Sequence, residues 1–421
     1  MTDALARPRR KNPIVRTRPM QLPPWGRSRV ALGLTAAAAE GRFELQVCAR
    51  CGRTQYPPRE ACHACLADEL EWREQTGTGE LIAETSLQHS HDPYFRERLP
   101  WRLGMVRLDC GPTVVVHLHG DVPPPSARLR VGARLDKAGM AVLIGFPAQE
   151  TPHMADDRQL REMTCDPRYR KVLITDGRTA IGQSLARAFI AAGADRIWLG
   201  QAEAWKEPPG LAAVSSLPQV TVVPLDLTDA RSVAELAAEI GVKVDILVNN
   251  AEHHRAHGIA SRHGTDVARA EMEVNYFGLL RLAQEFGPIM RARGADGTTS
   301  AVAWVNVLSV FALSNFPEHG TFSASKAAAL SLSQCLRAEM RPGGVRVVNI
   351  FPGPIEDEWN ATVPPPKLTP EALARDIVAA LRDGVEDVYP GDVAQDWRQR
   401  LRSNPKVLER ELATSSRDMH P

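Results

Sequence analysis

The chain has 421 residues, room for two or three domains. At 43% hydrophobic and 24% charged, with a formal net charge of +1, its composition is that of an ordinary globular protein with no overall field for nucleic acid or a membrane surface. The longest apolar runs, such as 140–146 and 377–381, are too short to span a bilayer.

Residues 1–29 read as a basic flexible tail: Arg7, Arg9, Arg10, Lys11, Arg16 and Arg18 stand against Asp3 alone, without the apolar stretch of a secretory signal. A basic arm touching an acidic partner or a CoA phosphate is the sharper reading of the same run. Residues 30–45 include an Ala-rich stretch that predicts a helix, and Cys48–Cys65 forms a knuckle. Short β-type runs follow at Leu81–Thr85, Leu103–Leu108, Thr113–Leu118 and Ala141–Phe146, separated by Gly and Pro clusters as in a small barrel. Residues 30–147 therefore form one module, and 148–167, rich in Asp, Glu, Arg and Met, a linker.

From 168 to 421 the rhythm changes. Apolar, β-branched runs at Lys171–Thr175, Arg196–Leu199, Thr221–Pro224, Ile246–Val248, Val302–Val307 and Val345–Ile350 alternate with helical patterns. The helices are predicted at Ile181–Ala192, Ala230–Ile240, Asp266–Met290, Ser323–Met340 and Thr369–Leu381. Such alternation predicts an α/β Rossmann domain, a doubly wound parallel sheet with helices on both faces. The whole chain is thus multidomain: a cysteine knuckle with a small β-barrel, then the α/β domain.

Cys48-x2-Cys51 and Cys62-x2-Cys65 set two thiolate pairs on two tight turns, the four sulfur ligands that structural zinc prefers. Four protein sulfurs leave no open position for catalysis. Four buried thiols without metal are the alternative. Cys110, Cys165 and Cys335 are scattered, so the cysteine pattern reads as one metal site in a reducing, cytoplasmic setting rather than a disulfide framework. His117 and His119, two apart on a predicted strand, read as exposed residues sooner than as metal ligands.

The stretch 45–52 around the first cysteine pair, with Tyr56-Pro-Pro-Arg59, Cys62-His-Ala-Cys65 and Leu70-Glu-Trp72, resembles the acyl-CoA-associated rubredoxin-like zinc ribbon with an appended OB fold, over about residues 20–147. That resemblance implies a part that docks thiolase-like or aldolase-like enzymes acting on acyl-CoA. An OB fold is also a scaffold for single-stranded nucleic acid, but residues 30–150 hold thirteen Lys/Arg against fifteen Asp/Glu, so no nucleic-acid partner is expected.

In the rear half, Thr175-Asp-Gly-Arg-Thr-Ala-Ile-Gly182 lies between a predicted strand and helix, Asp226 follows the third strand, and Asn249-Asn250-Ala251-Glu252 follows the fourth. Asn275, Ser309, Phe322-x3-Lys326 and Pro352-Gly353 come after them. These motifs resemble the short-chain dehydrogenase/reductase family over essentially all of 168–415. The resemblance implies catalytic roles for Asn275, Ser309 and Lys326. It implies that Thr175, Ile181, Gly182, Asp226, Asn250, Ala251, Lys326, Pro352 and Gly353 line an NAD(P) site.

The sequence departs from that family in telling places. Asp176 and Ala180 replace two glycines of the phosphate loop, Glu252 replaces a Gly, Asp357 a Thr, and Phe322 stands where the family has its proton-donating Tyr. Leu199-Gly-Gln201 offers neither the acid that selects NAD nor the Arg that selects NADP. Zinc is therefore expected, and NAD(P) binding in weakened form.

Leu279, Leu282, Ala283 and Phe286, with Ala327, Ala328, Leu332, Cys335 and Leu336, form two apolar stripes at helical spacing. In the family that the rear half resembles these two helices pair subunits, so the resemblance implies a homo- or hetero-oligomer, with an active dehydrogenase as a candidate partner; the alternative is that both stripes face the sheet. The expected function is a non-catalytic or weakly active dehydrogenase-like subunit in acyl-CoA metabolism. The alternative is an active NAD(P)-dependent hydroxyacyl-CoA dehydrogenase or ketoreductase with an unusual proton donor.

Overall fold

The structure, a computed structural model, describes residues 1–7, 21–203, 205–294, 300–358, 360–361 and 363–418. The basic run from Arg9 to Arg18 lies outside them. The described residues divide into two compact units, 1–7, 21–166 and 381–386 in one, 167–380 and 387–418 in the other.

In the first unit the Ala-rich stretch forms helix α1 (Leu32–Ala39), shorter than expected because the chain turns extended before strand β1 (Glu44–Cys48). β1 pairs antiparallel with β2 (Thr54–Gln55) and β3 (Leu70–Glu74) in a three-stranded ribbon, order β2-β1-β3. Five further strands close a barrel: β4 (Thr78–Leu87), β5 (Trp101–Leu108), β6 (Thr113–Leu118), β7 (Arg128–Leu135) and β8 (Ala141–Pro147), in the order β4-β5-β6-β8-β7. β7 had no counterpart among the predicted runs, although Leu129, Val131, Ala133 and Leu135 alternate with exposed or half-buried neighbours. Those four pack inward against Leu81, Val106, Val114, Val116 and Leu118, the alternation a filled small barrel requires.

Two expectations for this unit are corrected. Residues 1–7 are tied down: Thr2 Oγ1 donates to Asp121 Oδ1 at 3.0 Å and the Leu5 amide to Asp156 Oδ2 at 3.2 Å. The stretch read as a linker packs its Leu160 and Met163 against Trp101, Ile144 and Phe146, because apolar side chains beside an open barrel end gain by covering it.

The second unit is a seven-stranded sheet with every pairing parallel. Its strands are β9 (Lys171–Ile174), β10 (Arg196–Gln201), β11 (Val220–Pro224), β12 (Ile246–Asn249), β13 (Ala303–Val307), β14 (Arg346–Ile350) and β15 (Asp387–Val388), in the order β11-β10-β9-β12-β13-β14-β15. β12, β13 and β14 are buried at every residue, as strands covered on both faces must be. The order reverses between β9 and β12, the place where an open α/β sheet forms its ligand crevice.

The connecting helices that matter here are α2 (Ala180–Ala191), α3 (Leu279–Ala292) and α4 (Gly320–Met340). α3 is the last part of a longer helical run that begins at Asp266 and passes through a π-helical turn, Glu273–Gly278. Leu279, Leu282 and Phe286 are fully buried in the domain's own core, as is Leu336. The stripe on α3 therefore faces the sheet side, and the oligomer reading loses that support. On α4 only Cys335 of the proposed stripe is exposed.

Candidate functional site

In the ribbon, β1 ends at Cys48, and the turn after it carries Cys51. Cys62 and Cys65 lie on the facing turn. The four sulfurs lie within 4.8 Å of one another, with Cys48 and Cys65 3.6 Å apart and Cys51 and Cys62 3.7 Å apart. The Ala64 amide donates to Cys62 Sγ at 3.4 Å, which favours the thiolate. The donor set and spacing fit a tetrahedral zinc ion held by Cys48, Cys51, Cys62 and Cys65.

His117 and His119 take no part in such a cluster, nor are they exposed strand residues as expected. Trp101 Nε1 donates to His117 Nδ1 at 2.8 Å, and burial pushes the His117 pKa down to about 4. His119 is fully buried and pairs its Nε2 with the Met154 carbonyl at 2.9 Å.

At the sheet's switch point a buried knot of hydrogen bonds holds the phosphate loop to the end of β12. Thr175 Oγ1 accepts from the amides of Asn250 and Ala251 at 3.1 and 3.2 Å. Asn250 Oδ1 accepts from the Asp176 amide at 3.0 Å, and its Nδ2 donates to the Asp176 carbonyl at 2.7 Å. Gly182 is obligatory, since a Cβ there would lie 1.9 Å from that same carbonyl. Gly177 is needed for close packing, as its Cβ would meet Leu199 at 2.3 Å.

Asp176 does not stand free in the crevice. Its carboxylate accepts from the Arg178 amide at 2.8 Å and binds the Arg178 guanidinium through Nε at 3.0 Å and Nη2 at 2.8 Å. Arg178 also reaches Glu203 at 3.5 Å. Ala180 is exposed at the start of α2, while Ile181 is buried. Thr179 Oγ1 caps that helix by accepting from the Gly182 amide at 3.2 Å. Gln201 donates to the carbonyls of Glu203 and Lys206 at 3.0 and 2.6 Å, closing its own loop. Asp226 Oδ1 accepts from the Thr228 amide at 2.8 Å. Pro352 and Gly353 are buried, with the Pro352 carbonyl accepting from the Val310 amide at 3.0 Å and Gly353 close against Val393.

Deeper in the crevice Lys326 is 2% exposed. Its Nζ forms an ion pair with Glu252 Oε2 at 2.9 Å and donates to the Val307 carbonyl at 3.1 Å. Burial alone would raise the Glu252 carboxyl; Lys326 beside it, with smaller help from His254 and His253, holds it below the usual value. Phe322 lies under the same ammonium, 5.4 Å from Nζ to the ring centroid. The His254 ring stacks on Phe322, centroids 3.8 Å apart and 16° between planes. His254 Nε2 is 2.6 Å from His319 Nδ1. Burial lowers His254 to about 4 although Glu252 raises it, with His319, Lys326 and Arg255 adding smaller downward shifts, and burial with His257 lowers His319 equally. Both rings are neutral at neutral pH.

The other two catalytic candidates are already engaged. Ser309 Oγ accepts from the Phe311 amide at 3.2 Å, capping a short 3-10 turn. Asn275, in the π-turn, accepts from the His253 amide and donates to the His253 carbonyl, both at 2.9 Å, and donates to Ser325 Oγ at 2.8 Å. Tyr276 meets Phe277 edge to face, centroids 5.0 Å apart. Sequence reasoning noted Glu252 as a departure but missed its pairing with Lys326. It also missed His254 and His319, which are 65 positions apart and share no motif.

These residues fit a dinucleotide unequally. The phosphate loop keeps its close-approach glycine and its Thr175–Asn250 frame. The lysine end does not fit, because Glu252, Val307, Phe322 and His254 already fill the surroundings of Lys326.

Models of known families match three stretches: short chain dehydrogenase over residues 170–367, the ChsH2 rubredoxin-like zinc ribbon domain over 35–71, and the ChsH2 C-terminal OB-fold domain over 72–139. Dehydrogenase/reductase SDR family member 7B from Bos taurus is 31% identical over 270 residues, covering 58% of this chain and 81% of that protein. Against the Mus musculus form, identity is 36%, but the match spans only 56% of that protein's length. A fatty acyl-CoA reductase from Acinetobacter baylyi is 30% identical over 218 residues, covering 50% of this chain and 72% of the reductase. Among solved structures, a short chain dehydrogenase from Burkholderia cenocepacia in complex with NADP is 33% identical, with a TM-score of 0.53, over 59% of this chain and 98% of that one. No helix among the described residues is long and apolar enough to cross a membrane.

Proposed function

The chain belongs to the short-chain dehydrogenase/reductase family, with a zinc ribbon and an OB fold fused ahead of that domain, and from that premise we propose that it is a non-catalytic or barely active subunit. In this reading the dehydrogenase domain pairs with a competent dehydrogenase. The ribbon and OB fold hold a thiolase-like or aldolase-like enzyme, so that oxidation of a hydroxyacyl-CoA is coupled to carbon–carbon cleavage. The acyl-CoA assignment is supported by the fatty acyl-CoA reductase relative.

The observation that carries the reading is the state of the catalytic residues. A working site needs a proton donor, and a positioned acid or base contributes about 10²–10⁴-fold. Phe322 has no proton to give. Lys326 is paired with Glu252 and Val307, and Ser309 Oγ accepts from a turn amide. The test is turnover of a hydroxyacyl-CoA with NAD or NADP by the purified chain. The expected rate is below an ordinary enzyme's by at least that factor, and Phe322→Tyr is expected to raise it little, since Lys326 stays paired. Ordinary turnover by the wild-type chain overturns the proposal.

One observation favours a second reading, a working hydroxyacyl-CoA dehydrogenase or ketoreductase. In that reading His254, which lies on the Phe322 ring with an Nδ1 that has no hydrogen-bond partner among the described residues, takes the place of the missing Tyr as a neutral imidazole, through its one ring N–H. If turnover is found, His254→Phe is expected to abolish it.

A further inference from the structure

We propose that Glu252 is the residue that closes this crevice to nicotinamide dinucleotides, its carboxylate occupying the lysine in place of a ligand. The inference deepens the non-catalytic reading and rests on it.

Position comes first. Residue 252 is the first to leave the knot formed by Thr175, Asn250 and Ala251. The backbone before it is held, so its side chain is delivered over the crevice rather than left to wander. A glycine here leaves that space open; a glutamate fills it. Chemistry comes next. An ammonium has three donors and no acceptor. Two of the three on Lys326 are committed, one to an anion and one to a buried carbonyl. A ribose hydroxyl that approached would have to displace a carboxylate in surroundings where charge pairs are strong. It would leave behind a half-buried carboxylate without its partner, the costly side of breaking such a pair. A neutral diol does not win that exchange.

The rest of the cofactor groove remains suited to a dinucleotide. Gly182 keeps its close approach, and Asp176 is neutralised by Arg178. Removing the Glu252 side chain frees space and an ammonium together, and the ligand class that supplies hydroxyl acceptors there and a pyrophosphate at the start of α2 is a nicotinamide dinucleotide.

The experiment is titration of the full chain with NADH and with NADPH, followed by nucleotide fluorescence. The wild-type chain is expected to show no saturable binding into the millimolar range. Glu252→Gly is expected to bind at least tenfold more tightly, and Glu252→Gln, which keeps the shape and removes the charge, to fall between. Micromolar binding by the wild type overturns the proposal, as does a folded Glu252→Gly with unchanged affinity. If Glu252→Gly fails to fold, Glu252→Gln decides alone, and wild-type affinity in that variant overturns it. Turnover is read separately. A wild type that binds NADH tightly without turnover overturns the role of Glu252 and leaves the non-catalytic reading standing, whereas binding by Glu252→Gly without turnover upholds both.

Discussion

The cysteine knuckle and the dehydrogenase crevice make opposite use of the residues their families supply. In the knuckle the four expected sulfurs converge within 4.8 Å of one another, a donor set and spacing that fit a metal ion. In the crevice Asn275, Ser309 and Lys326 are also where the family places them, yet each has found a partner inside the chain: His253 and Ser325, the Phe311 amide, and Glu252. A site is kept when its polar groups are left needing something. When a neighbouring substitution satisfies them, the frame survives and the demand for a ligand disappears. Presence of the residues, which is what a motif reports, does not separate the two cases; their hydrogen bonds do.

The largest expected effect tests the knuckle. Structural zinc in such small modules stabilises by roughly 10–16 kcal/mol, so Cys62→Ser should release the metal and unfold the ribbon. Metal content per chain and protease sensitivity within 35–75 measure this, and retention of both metal and resistance would contradict a closed four-sulfur site. The next breaks the self-satisfaction of the crevice. Lys326→Met leaves the half-buried Glu252 carboxylate without its partner, a change that costs up to about 3 kcal/mol. Thermal melting should show it, and the double variant Glu252→Gln/Lys326→Met should recover most of the loss. If the single variant melts like wild type, the pair does not hold the crevice together.

The last effect is a graded one, of pH, and the smallest for any single step of one pH unit. His254 and His319 are held near 4 in the folded chain, against an ordinary value of about 6.5. Below 6.5 the unfolded chain takes up protons that the folded one refuses, so stability is full above that pH. It declines as the pH falls towards 4, by about 1.4 kcal/mol per pH unit for each group that titrates. Denaturant melts of the wild type and His254→Phe across this window should differ in slope; parallel curves would mean the buried pair does not titrate on unfolding.

The fold was largely readable in advance because its signals are local. The apolar strands of the parallel sheet and the paired cysteines announce themselves within a few residues. β7 was equally regular but sat among arginines, Arg128, Arg130 and Arg134, and its alternation went unused. The covering role of 148–167 was hidden because Leu160 and Met163 are isolated in a polar stretch and gain meaning only beside Trp101. At the site, Phe322, Asp176 and Glu252 were visible as departures, but their consequences were not. Asp176 puts a carboxylate where the family has a glycine, and Arg178, two residues on, binds it through both oxygens. The stripe on α3 left two readings open for a related reason: periodicity says that one face is apolar, not which neighbour it meets.

The Thr175 hydroxyl has a consequence for watching this molecule in solution. The amides of Asp176, Asn250 and Ala251 are protected by two side chains, Asn250 and Thr175, rather than by a sheet ladder. Their deuterium exchange is therefore set by lifting of the phosphate loop and not by unzipping of β9 from β12. These three protons form a clock for that one motion, readable without any substrate and without any chemistry taking place.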